Sequence, residues 1–378
     1  MNSKEQIAIY IHIPFCDHKC IYCDFYSITK TENVEEFIRA IKVEILNSKK
    51  YFENREISSI FFGGGTPSLL TPKQIYEILN IFYSNYSLSE SVEITLETNP
   101  GTVNLNKLKE FRVIGINRLS VGVQSFDDRE LKFLTRIHDR KLAIETIENG
   151  SNAGFENINL DLIFNLPKQT KAIWNSNLET AISLPIKHIS AYSLILERGT
   201  ILNKMVLDSK IKMNEEDFDA TLYEYTIEFM TKNNFKQYEV SNFCKDGFEC
   251  EHNLAYWQHK NYIGYGPSAH SYFNNKRWWN FSGVKQYISK MDEFENAVRG
   301  EEYLNSNELK EEYIMLALRS NGLNLNELKN IHGNDWLIQN QSYINELKKD
   351  KYLIDEESFI KFTSKGYLLC DEILLKFK

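Results

Sequence analysis

The feature that most constrains the fold is the alternation, over the first half of the chain, of short apolar runs with longer amphipathic stretches. Six runs rich in β-branched residues are predicted strands, at residues 7–13, 57–62, 91–97, 117–121, 157–163 and 188–194. Helical stretches separate them, at residues 34–52, 72–84, 105–113, 141–153 and 170–184. Because parallel strands need such crossovers, the pattern predicts an α/β fold with a parallel sheet, either barrel-like or doubly wound.

Capping signals support the helix boundaries. Thr71 is placed as the N-cap of a helix whose first turn holds Pro72, and Gly115 and Gly154 each fall just past a helical pattern, where C-cap glycines occur. Glycine and polar residues follow the predicted strands. Chemistry in parallel α/β folds gathers at the carboxyl ends of strands, so these residues are the first candidates for a site.

Beyond about residue 235 the pattern changes. Residues 238–243 form one more predicted strand, an aromatic stretch covers residues 252–272, and from about residue 305 helices precede a hairpin-like segment at 353–363. A chain of 378 residues is expected to contain one large domain and a smaller one. We therefore predict a barrel at 1–235, an extension of it at 236–300, and a mainly helical, winged-helix-like lid or docking domain at 301–378.

Charge argues against a nucleic-acid partner. The formal net charge is -8 with scattered basic residues, and the winged-helix-like segment carries 10 basic and 14 acidic residues. The chain shows no secretory signal peptide, no run of about 20 apolar residues that would span a membrane, and six unevenly spaced cysteines. These features predict a cytoplasmic protein with reduced thiols.

Three cysteines lie close together after the first predicted strand. Cys16, Cys20 and Cys23 have C-x3-C-x2-C spacing, and the next cysteine is Cys244. Three thiolates can hold three irons of a 4Fe-4S cluster, which leaves the fourth iron open to a ligand. Two other interpretations stay open on these residues alone: a thioredoxin-like redox pair of Cys20 and Cys23, or a zinc site completed by His12 or His18.

Polar groups near successive strand ends could bind a ligand beside the cysteines. The three glycines at 63–65 let a backbone approach a ligand closely, although the missing third fingerprint glycine makes a dinucleotide site a weak interpretation. Carboxylates suit ribose hydroxyls, and a guanidinium can fork onto a carboxylate. A zwitterionic nucleoside would fit such a set, which comprises Glu97, Gln124, Arg136 and Asp161.

The chain resembles a radical S-adenosylmethionine protein of the anaerobic coproporphyrinogen oxidase family. The resemblance runs from Tyr10 to about Tyr272 and fits the C-terminal domain more loosely. Its motifs occur in order, as Tyr10-x5-Cys16-x3-Cys20-x2-Cys23, Gly63-Gly-Gly-Thr-Pro67, Glu97-x-Asn-Pro100, Gln124-Ser-Phe126, Arg136-x-His138, Asp161 and His252-Asn-Leu-Ala-Tyr-Trp257. It implies an incomplete (β/α)6 TIM-like barrel, in agreement with the six predicted strands.

The resemblance also implies cofactors and residue roles. S-adenosylmethionine would chelate the open iron of the cluster, and a reduced cluster would cleave it to a deoxyadenosyl radical, with a flavodoxin or ferredoxin as electron donor. Tyr10 and Tyr22 would lie near the cofactor, and Gly64, Gly65 and Thr66 would meet its methionine part. One or two S-adenosylmethionine sites would be completed by Glu97, Gln124, Arg136 and Asp161.

Two departures from the oxidising members of the family point to heme handling. The oxidases have another cysteine two positions after the third, where this chain has Phe25, and they carry an N-terminal extension for which Cys16 leaves almost no room. We therefore expect a heme chaperone that passes heme to an acceptor protein. Coproporphyrinogen III oxidation or radical heme breakdown is the alternative, and membrane contact is left open because no lipidation signal or basic amphipathic helix stands out.

His252 is the leading candidate for the heme ligand. Histidine is an ordinary axial ligand of heme iron, and the resemblance places His252 in a heme-associated motif with Tyr256 and Trp257. Without the resemblance, a hydrogen-bonded structural histidine is the better interpretation. His270 is a second candidate. Cys244 and Cys250 are expected to be ordinary buried thiols, because no C-x-x-C-H attachment motif is present.

Overall fold

The computed structural model describes residues 4–377. Its strands are β1 (Glu5–Ile13), β2 (Arg55–Gly64), β3 (Leu88–Thr98), β4 (Arg118–Gln124), β5 (Asn157–Phe164), β6 (His188–Ser193), β7 (Lys236–Gln237), β8 (Asn242–Cys244), β9 (Tyr262–Tyr265), β10 (His270–Phe273), β11 (Lys276–Asn280), β12 (Val298–Tyr303), β13 (Leu323–Asn324), β14 (Leu353–Glu356) and β15 (Phe359–Phe362). The first twelve form one sheet, in the order β12-β11-β10-β9-β1-β2-β3-β4-β5-β6-β8-β7.

The α-helices alternate with the first six strands and then dominate the C-terminal region. They are α1 (Val34–Leu46), α2 (Pro72–Asn85), α3 (Leu105–Val113), α4 (Asp128–Phe133), α5 (Arg140–Asn152), α6 (Lys171–Ser183), α7 (Ile201–Leu207), α8 (Glu216–Lys232), α9 (Glu251–Trp257), α10 (Val284–Phe294), α11 (Ser306–Leu318), α12 (Leu325–His332), α13 (Asp335–Lys349), α14 (Ser364–Leu368) and α15 (Cys370–Lys376). Within residues 4–377, none of the helices combines the length and the apolar character needed to cross a membrane.

The centre of the sheet is parallel and its edges are antiparallel. Strands β1 to β6 pair in parallel in sequence order, and β9 adds a further parallel neighbour to β1. Strands β10 to β12 extend one edge as an antiparallel meander, whereas β8 and β7 extend the other edge. The two edge strands of the described sheet do not pair with each other, so the barrel is incomplete, and the predicted fold class is confirmed.

The predicted strands and helices of the first half are confirmed to within a few residues at most boundaries. Thr71 caps α2 through a capping box with Gln74, and Pro72 occupies the first turn. Gly115 and Gly154 follow α3 and α5 with positive φ, as C-cap glycines do. The helix predicted to reach residue 52 ends at Leu46 and is followed by a short 3-10 turn at Lys49–Tyr51.

The strand predicted at residues 238–243 is correct only at its end, since Asn242 and Phe243 lie in β8 and residues 238–241 do not lie in a strand. Residues 238–241 connect β7 and β8 as a turn, because the Glu239 carboxylate accepts a hydrogen bond from the backbone N–H of Ser241 at 3.0 Å. Val240 leaves the sheet, and its N–H donates to the carbonyl of Arg319 in the C-terminal region. The apolar alternation that suggested a strand therefore comes from a residue packed against a second core.

The C-terminal region has its own hydrophobic core. Buried residues from Tyr313 to Ile373 form a cluster separate from that of the barrel, around a small sheet in the order β13-β15-β14. This sheet and its helices agree with the predicted hairpin and final helix. The predicted boundary at residue 300 falls within β12, and the three-part division of the chain stays a prediction.

Candidate functional site

The two faces of the parallel sheet differ in chemistry. On β1, the isoleucines at 7, 9, 11 and 13 are fully buried beneath the helices, whereas Tyr10 and His12 point to the other face. Register continues this second face across the barrel, through the pairs Tyr10 with Phe61, Ser59 with Glu93, Glu97 with Ser120, Ser120 with Asn159, and Asp161 with Ser190. The concave side of the barrel is therefore a lumen lined mainly by polar side chains.

The three cysteines of the triad lie on the loop that follows β1, at the carboxyl ends of the strands. All three are free thiols and partly exposed. The loop is fixed by hydrogen bonds from Cys16 N to Ile28 O at 2.9 Å and from Cys23 N to Cys20 O at 3.2 Å. Burial raises the pKa of the Cys23 thiol to about 11, and the neighbouring thiols of Cys20 and Cys16 add to the rise.

The three thiols suit the ligand set of an iron-sulfur cluster. Burial raises the pKa values of the Cys16 and Cys23 thiols, so both are protonated at neutral pH unless a cation is bound beside them. Bound iron would deprotonate them, because thiolates are the ligands of iron-sulfur clusters. Within residues 4–377, no three His, Cys, Asp or Glu side chains converge as the ligands of a single metal ion would. A cubane does not need that convergence, since each thiolate binds its own iron.

The histidines proposed as zinc partners have other contacts. Both ring nitrogens of His12 are occupied, Nε2 by the carbonyl of Tyr26 at 2.9 Å and Nδ1 by the hydroxyl of Tyr10 at 3.1 Å. Burial lowers the pKa of His12 to about 4, so the ring is neutral. His18 is exposed and lies 3.2 Å from the hydroxyl of Thr135. His12 thus holds the inner strand β1 to the end of the cysteine loop.

The glycines at the end of β2 join that strand to the cysteine loop. Gly65 N donates to Ile13 O and Thr66 N to Phe15 O, both at 2.7 Å. A Cβ on Gly65 would lie 2.6 Å from the Phe15 carbonyl, so glycine is required there for close packing of two backbones. Gly64 has a φ of 109°, and the His12 ring occupies the space that its Cβ would need.

Glu97 lies below this glycine turn, inside the lumen. Its carboxylate accepts a hydrogen bond from Gly64 N at 3.1 Å. Burial raises the pKa of Glu97 to about 8, and the nearby Asp161 carboxylate contributes in the same direction. A cationic group entering the lumen would therefore restore the charge of a carboxyl that is otherwise largely protonated at neutral pH.

Arg136 reaches from the loop after α4 to the cysteines. Its Nη2 donates to Asn99 Oδ1 and to Gly122 O, both at 2.6 Å, and its Nη1 lies 3.6 Å from Cys20 Sγ. Asn99 in turn donates to Thr66 Oγ1 at 2.8 Å, and Thr66 Oγ1 lies 3.3 Å from Cys16 Sγ. A continuous polar chain therefore links two cysteines through an amide and a guanidinium.

The remaining predicted site residues line the same lumen. Gln124 ends β4 with a left-handed φ of 70°, and its Nε2 lies beside Gly122, where a Cβ would be 3.0 Å away. Asp161 accepts from Asn159 Nδ2 at 2.8 Å, and burial raises its pKa. Burial also raises the pKa of Tyr22, on which Arg136 acts in the opposite direction. The predicted residues thus come together at the mouth and upper lumen of the barrel.

Sequence reasoning missed a charged layer deeper in the lumen. Arg118 is only 2% exposed, and its Nε lies 3.8 Å from the Glu93 carboxylate. Glu93 also accepts the backbone N–H groups of Glu251 and His252 at 3.2 Å and the Cys250 thiol at 3.4 Å. Glu93 thereby provides the hydrogen-bond acceptor for the first backbone N–H groups of α9. The sequence did carry a signal for this pair, because each of two apolar strand runs contains one charged residue. Charged residues are rarely buried unless they are paired. The role of Asn99, inside the Glu97-x-Asn-Pro100 motif, was missed as well.

His252 occupies a closed position on α9. It is 2% exposed, with Nδ1 3.0 Å from Ser59 Oγ and Nε2 3.0 Å from the Tyr256 hydroxyl. Its ring stacks on Phe61 at 4.9 Å between centroids, and burial lowers its pKa to about 3. Because neither ring nitrogen is free in this arrangement, heme ligation by His252 requires one of the two hydrogen bonds to open, and it stays a prediction. Cys244 and Cys250 are buried, as expected.

The chain matches the model of the Radical SAM superfamily over residues 10–179. The structure of coproporphyrinogen III oxidase (HemN) from Escherichia coli superposes with a TM-score of 0.84, covering 99% of this chain and 90% of that one. At 24% sequence identity, that likeness establishes the fold alone. The chain therefore belongs to the radical SAM superfamily, in agreement with its fold and its cysteine loop. Membership of this superfamily implies that a protein binds a 4Fe-4S cluster and S-adenosylmethionine.

Two proteins of similar sequence identify the family within the radical SAM superfamily. The heme chaperone HemW of Bacillus subtilis is 34% identical over 369 residues, which cover 97% of this chain and 97% of that protein. The heme chaperone HemW of Lactococcus lactis is 32% identical over 378 residues, covering 100% of this chain and 98% of its relative. The chain belongs to the HemW family.

Proposed function

We propose that this protein is a cytoplasmic heme chaperone, which binds a 4Fe-4S cluster, S-adenosylmethionine and heme and passes the heme to an acceptor protein. The observation that carries the proposal is the near full-length similarity to two proteins named heme chaperone HemW. The polar lumen beside the three free cysteines supports the cofactor part.

The three thiols of Cys16, Cys20 and Cys23 would hold the cluster. When bound and reduced, the cluster supplies the electron that can cleave the sulfonium of S-adenosylmethionine. A protein donor such as a flavodoxin or ferredoxin would provide that electron. The partly exposed position of the cysteine loop supports such an encounter.

The side chains of the upper lumen would bind and orient S-adenosylmethionine. Glu97 would become a carboxylate against a cationic group of the ligand, and Arg136 would offer guanidinium N–H groups near the cluster. Backbone groups of Gly64 and Gly65, together with Thr66, would face the methionine part. The adenosine part would lie toward Tyr10, Tyr22, Gln124 and Asp161.

Phe25 favours heme handling over porphyrinogen oxidation. Its side chain is 64% exposed beside the cysteine loop, at the position where the resemblance places another cysteine in the oxidising enzymes. Oxidation of coproporphyrinogen III is the second candidate function, because the chain shares its fold with the coproporphyrinogen III oxidase HemN.

One experiment separates the two functions. Cluster-reconstituted protein is incubated anaerobically with a reductant, S-adenosylmethionine and coproporphyrinogen III, and separately titrated with hemin. We expect no protoporphyrinogen, a shifted Soret band, and release of the bound heme to apomyoglobin used as an acceptor. Protoporphyrinogen formation over many turnovers, or the absence of any hemin binding, would overturn the proposed chaperone function.

A further inference from the structure

The lower lumen contains a guanidinium that makes no hydrogen bond to the protein. Arg118 begins β4 and is 2% exposed, and within residues 4–377 no group accepts a hydrogen bond from its side chain. Its one ion pair in this part of the chain is with Glu93, whose carboxylate lies 3.8 Å from Nε. The guanidinium is always charged in proteins, and a buried charge is costly unless it is both paired and hydrogen-bonded. Arg118 is thus only loosely compensated by the side chains around it.

Glu93 does not supply those hydrogen bonds, because its carboxylate is engaged by α9. Its two oxygens accept the backbone N–H groups of Glu251 and His252, both at 3.2 Å, and the thiol of Cys250 at 3.4 Å. These contacts hold the carboxylate at the start of α9, and its 3.8 Å separation from Arg118 is too long for a hydrogen bond. The N–H groups of Arg118 therefore stay available to another acceptor.

The lumen is open to solvent from its mouth down to the layer above Arg118. Tyr192, near the mouth on β6, is 41% exposed although it lies on the lumen face, and Glu97 and Asp161 below it are partly exposed. Burial raises the pKa of Asp161, and the nearby charge of Arg118 acts in the opposite direction. Arg118 therefore lies at the floor of a channel that a ligand can enter from the mouth of the barrel.

Two hydroxyl groups next to Arg118 can donate to the same acceptor. Thr95 on β3 is the register partner of Arg118 and is fully buried, and its Oγ1 has no hydrogen-bond partner among the described residues. Because neighbouring strands lie about 4.8 Å apart, the two side chains stand side by side on the lumen face. One layer nearer the mouth, Ser120 Oγ accepts from Asn159 Nδ2 at 2.7 Å, which leaves the Ser120 O–H as a donor. A guanidinium and two hydroxyls thus converge at the floor.

We infer that Arg118, Thr95 and Ser120 form a binding site for a carboxylate group at the floor of the lumen. The planar fork of a guanidinium matches the two oxygens of a carboxylate, and hydroxyls donate to the lone pairs that the fork leaves free. A group with a single negative charge suits this floor better than phosphate, because the carboxyl groups of Glu93 and Asp161 are nearby. The carboxylate belongs either to a free small acid or to the end of a longer ligand. The site requires neither the cluster nor heme, so it stands apart from the proposed function.

The test is a titration of the full chain with isotope-labelled formate, at an ionic strength held constant with sodium chloride, followed by the NMR linewidth of formate. We expect saturable binding to the unaltered protein and at least about tenfold weaker binding to Arg118→Lys, which keeps the charge but loses the fork. Thr95→Val should bind formate about threefold more weakly or worse. Without formate it should keep the Tm of the unaltered protein, because the lost hydroxyl has no partner in the described chain. Arg39→Lys and Thr221→Val, on exposed helix positions, are the matched controls.

A series of acids separates the two sources of the carboxylate. Affinity that falls from formate through acetate and butyrate to hexanoate indicates a free small acid, whereas affinity that rises along the series indicates the end of a longer ligand reaching toward the mouth. Inorganic phosphate should bind more weakly than formate in both cases. The inference is overturned if formate shows no saturable binding to the unaltered protein, or if Thr95→Val and Arg118→Lys bind it as tightly as the unaltered protein does. If Arg118→Lys does not fold, Thr95→Val alone decides the result.

Discussion

The carboxylate of Glu97 accepts the backbone N–H of Gly64 at 3.1 Å, and this contact ties the end of β3 to the glycine turn after β2. Gly65, the next residue, donates to Ile13 at the start of the cysteine loop. One carboxyl group thus supports the turn that positions the cysteine loop. The protonation state of Glu97 should therefore affect both the stability of this turn and the binding of a cationic group in the lumen.

The raised pKa of Glu97 predicts a pH-dependent stability. The folded-state pKa of about 8 lies above the ordinary value of 4.5, so the folded protein holds a proton that the unfolded chain releases. This stabilisation is complete below about pH 4.5 and is lost as the pH rises through about 8. We expect Tm to fall from about pH 6 to about pH 9 more steeply in the unaltered protein than in Glu97→Gln. Parallel Tm profiles would contradict this assignment.

Replacement of one cysteine of the triad should abolish the cluster without unfolding the chain. The Cys16 thiol is partly exposed and interacts with Thr66, so serine fits its place but offers no thiolate. We expect Cys16→Ser to lose most iron and acid-labile sulfide after anaerobic reconstitution. Cys370→Ser, in the C-terminal core, is the control and should retain both. Zinc instead of iron in the unaltered protein would refute the cluster.

Gly65→Ala tests the packing between β2 and the cysteine loop. A methyl group 2.6 Å from the Phe15 carbonyl must push the loop away, because backbone cannot yield as a flexible side chain does. We expect a drop of about 1–3 kcal/mol in the free energy of unfolding, together with incomplete cluster loading. Gly283→Ala provides the comparison, since its nearest neighbour would be 3.7 Å away. Equal stability of the two variants would show that the close approach is unimportant.

Arg136→Lys should weaken S-adenosylmethionine binding while leaving the fold intact. Lysine keeps the charge but cannot donate to Asn99, Gly122 and Cys20 together from a planar group. We expect about a tenfold loss of affinity in equilibrium binding to cluster-loaded protein, with unchanged iron content. Arg39→Lys on the exposed side of α1 is the matched control. An unaltered affinity in Arg136→Lys would remove Arg136 from the binding site.

The elements set by local periodicity were predictable from the sequence, and those set by distant pairing were not. The capping box at Thr71 and the six parallel strands follow from residues near one another in the chain. The start of α9 is bound by Glu93, about 160 residues away in the chain. Val240 fits the apolar alternation of a strand but packs against the C-terminal core. The environment of His252 was not predictable from the sequence either, because only the fold brings Ser59 to one of its ring nitrogens and directs the Tyr256 hydroxyl to the other.

The buried pair of Arg118 and Glu93 gives the last prediction. Removing the guanidinium in Arg118→Met leaves the Glu93 carboxylate buried with only the amides of α9 and the Cys250 thiol as partners. Breaking one side of a buried ion pair costs about 3–5 kcal/mol, because the remaining charge is uncompensated. We expect a loss near the lower end of that range in denaturant unfolding, since the separation of 3.8 Å is long for an ion pair. Arg39→Met, which breaks an exposed pair with Asp292, should change stability little. If both variants unfold at the same denaturant concentration, the Arg118 pair does not hold α9 in the lumen.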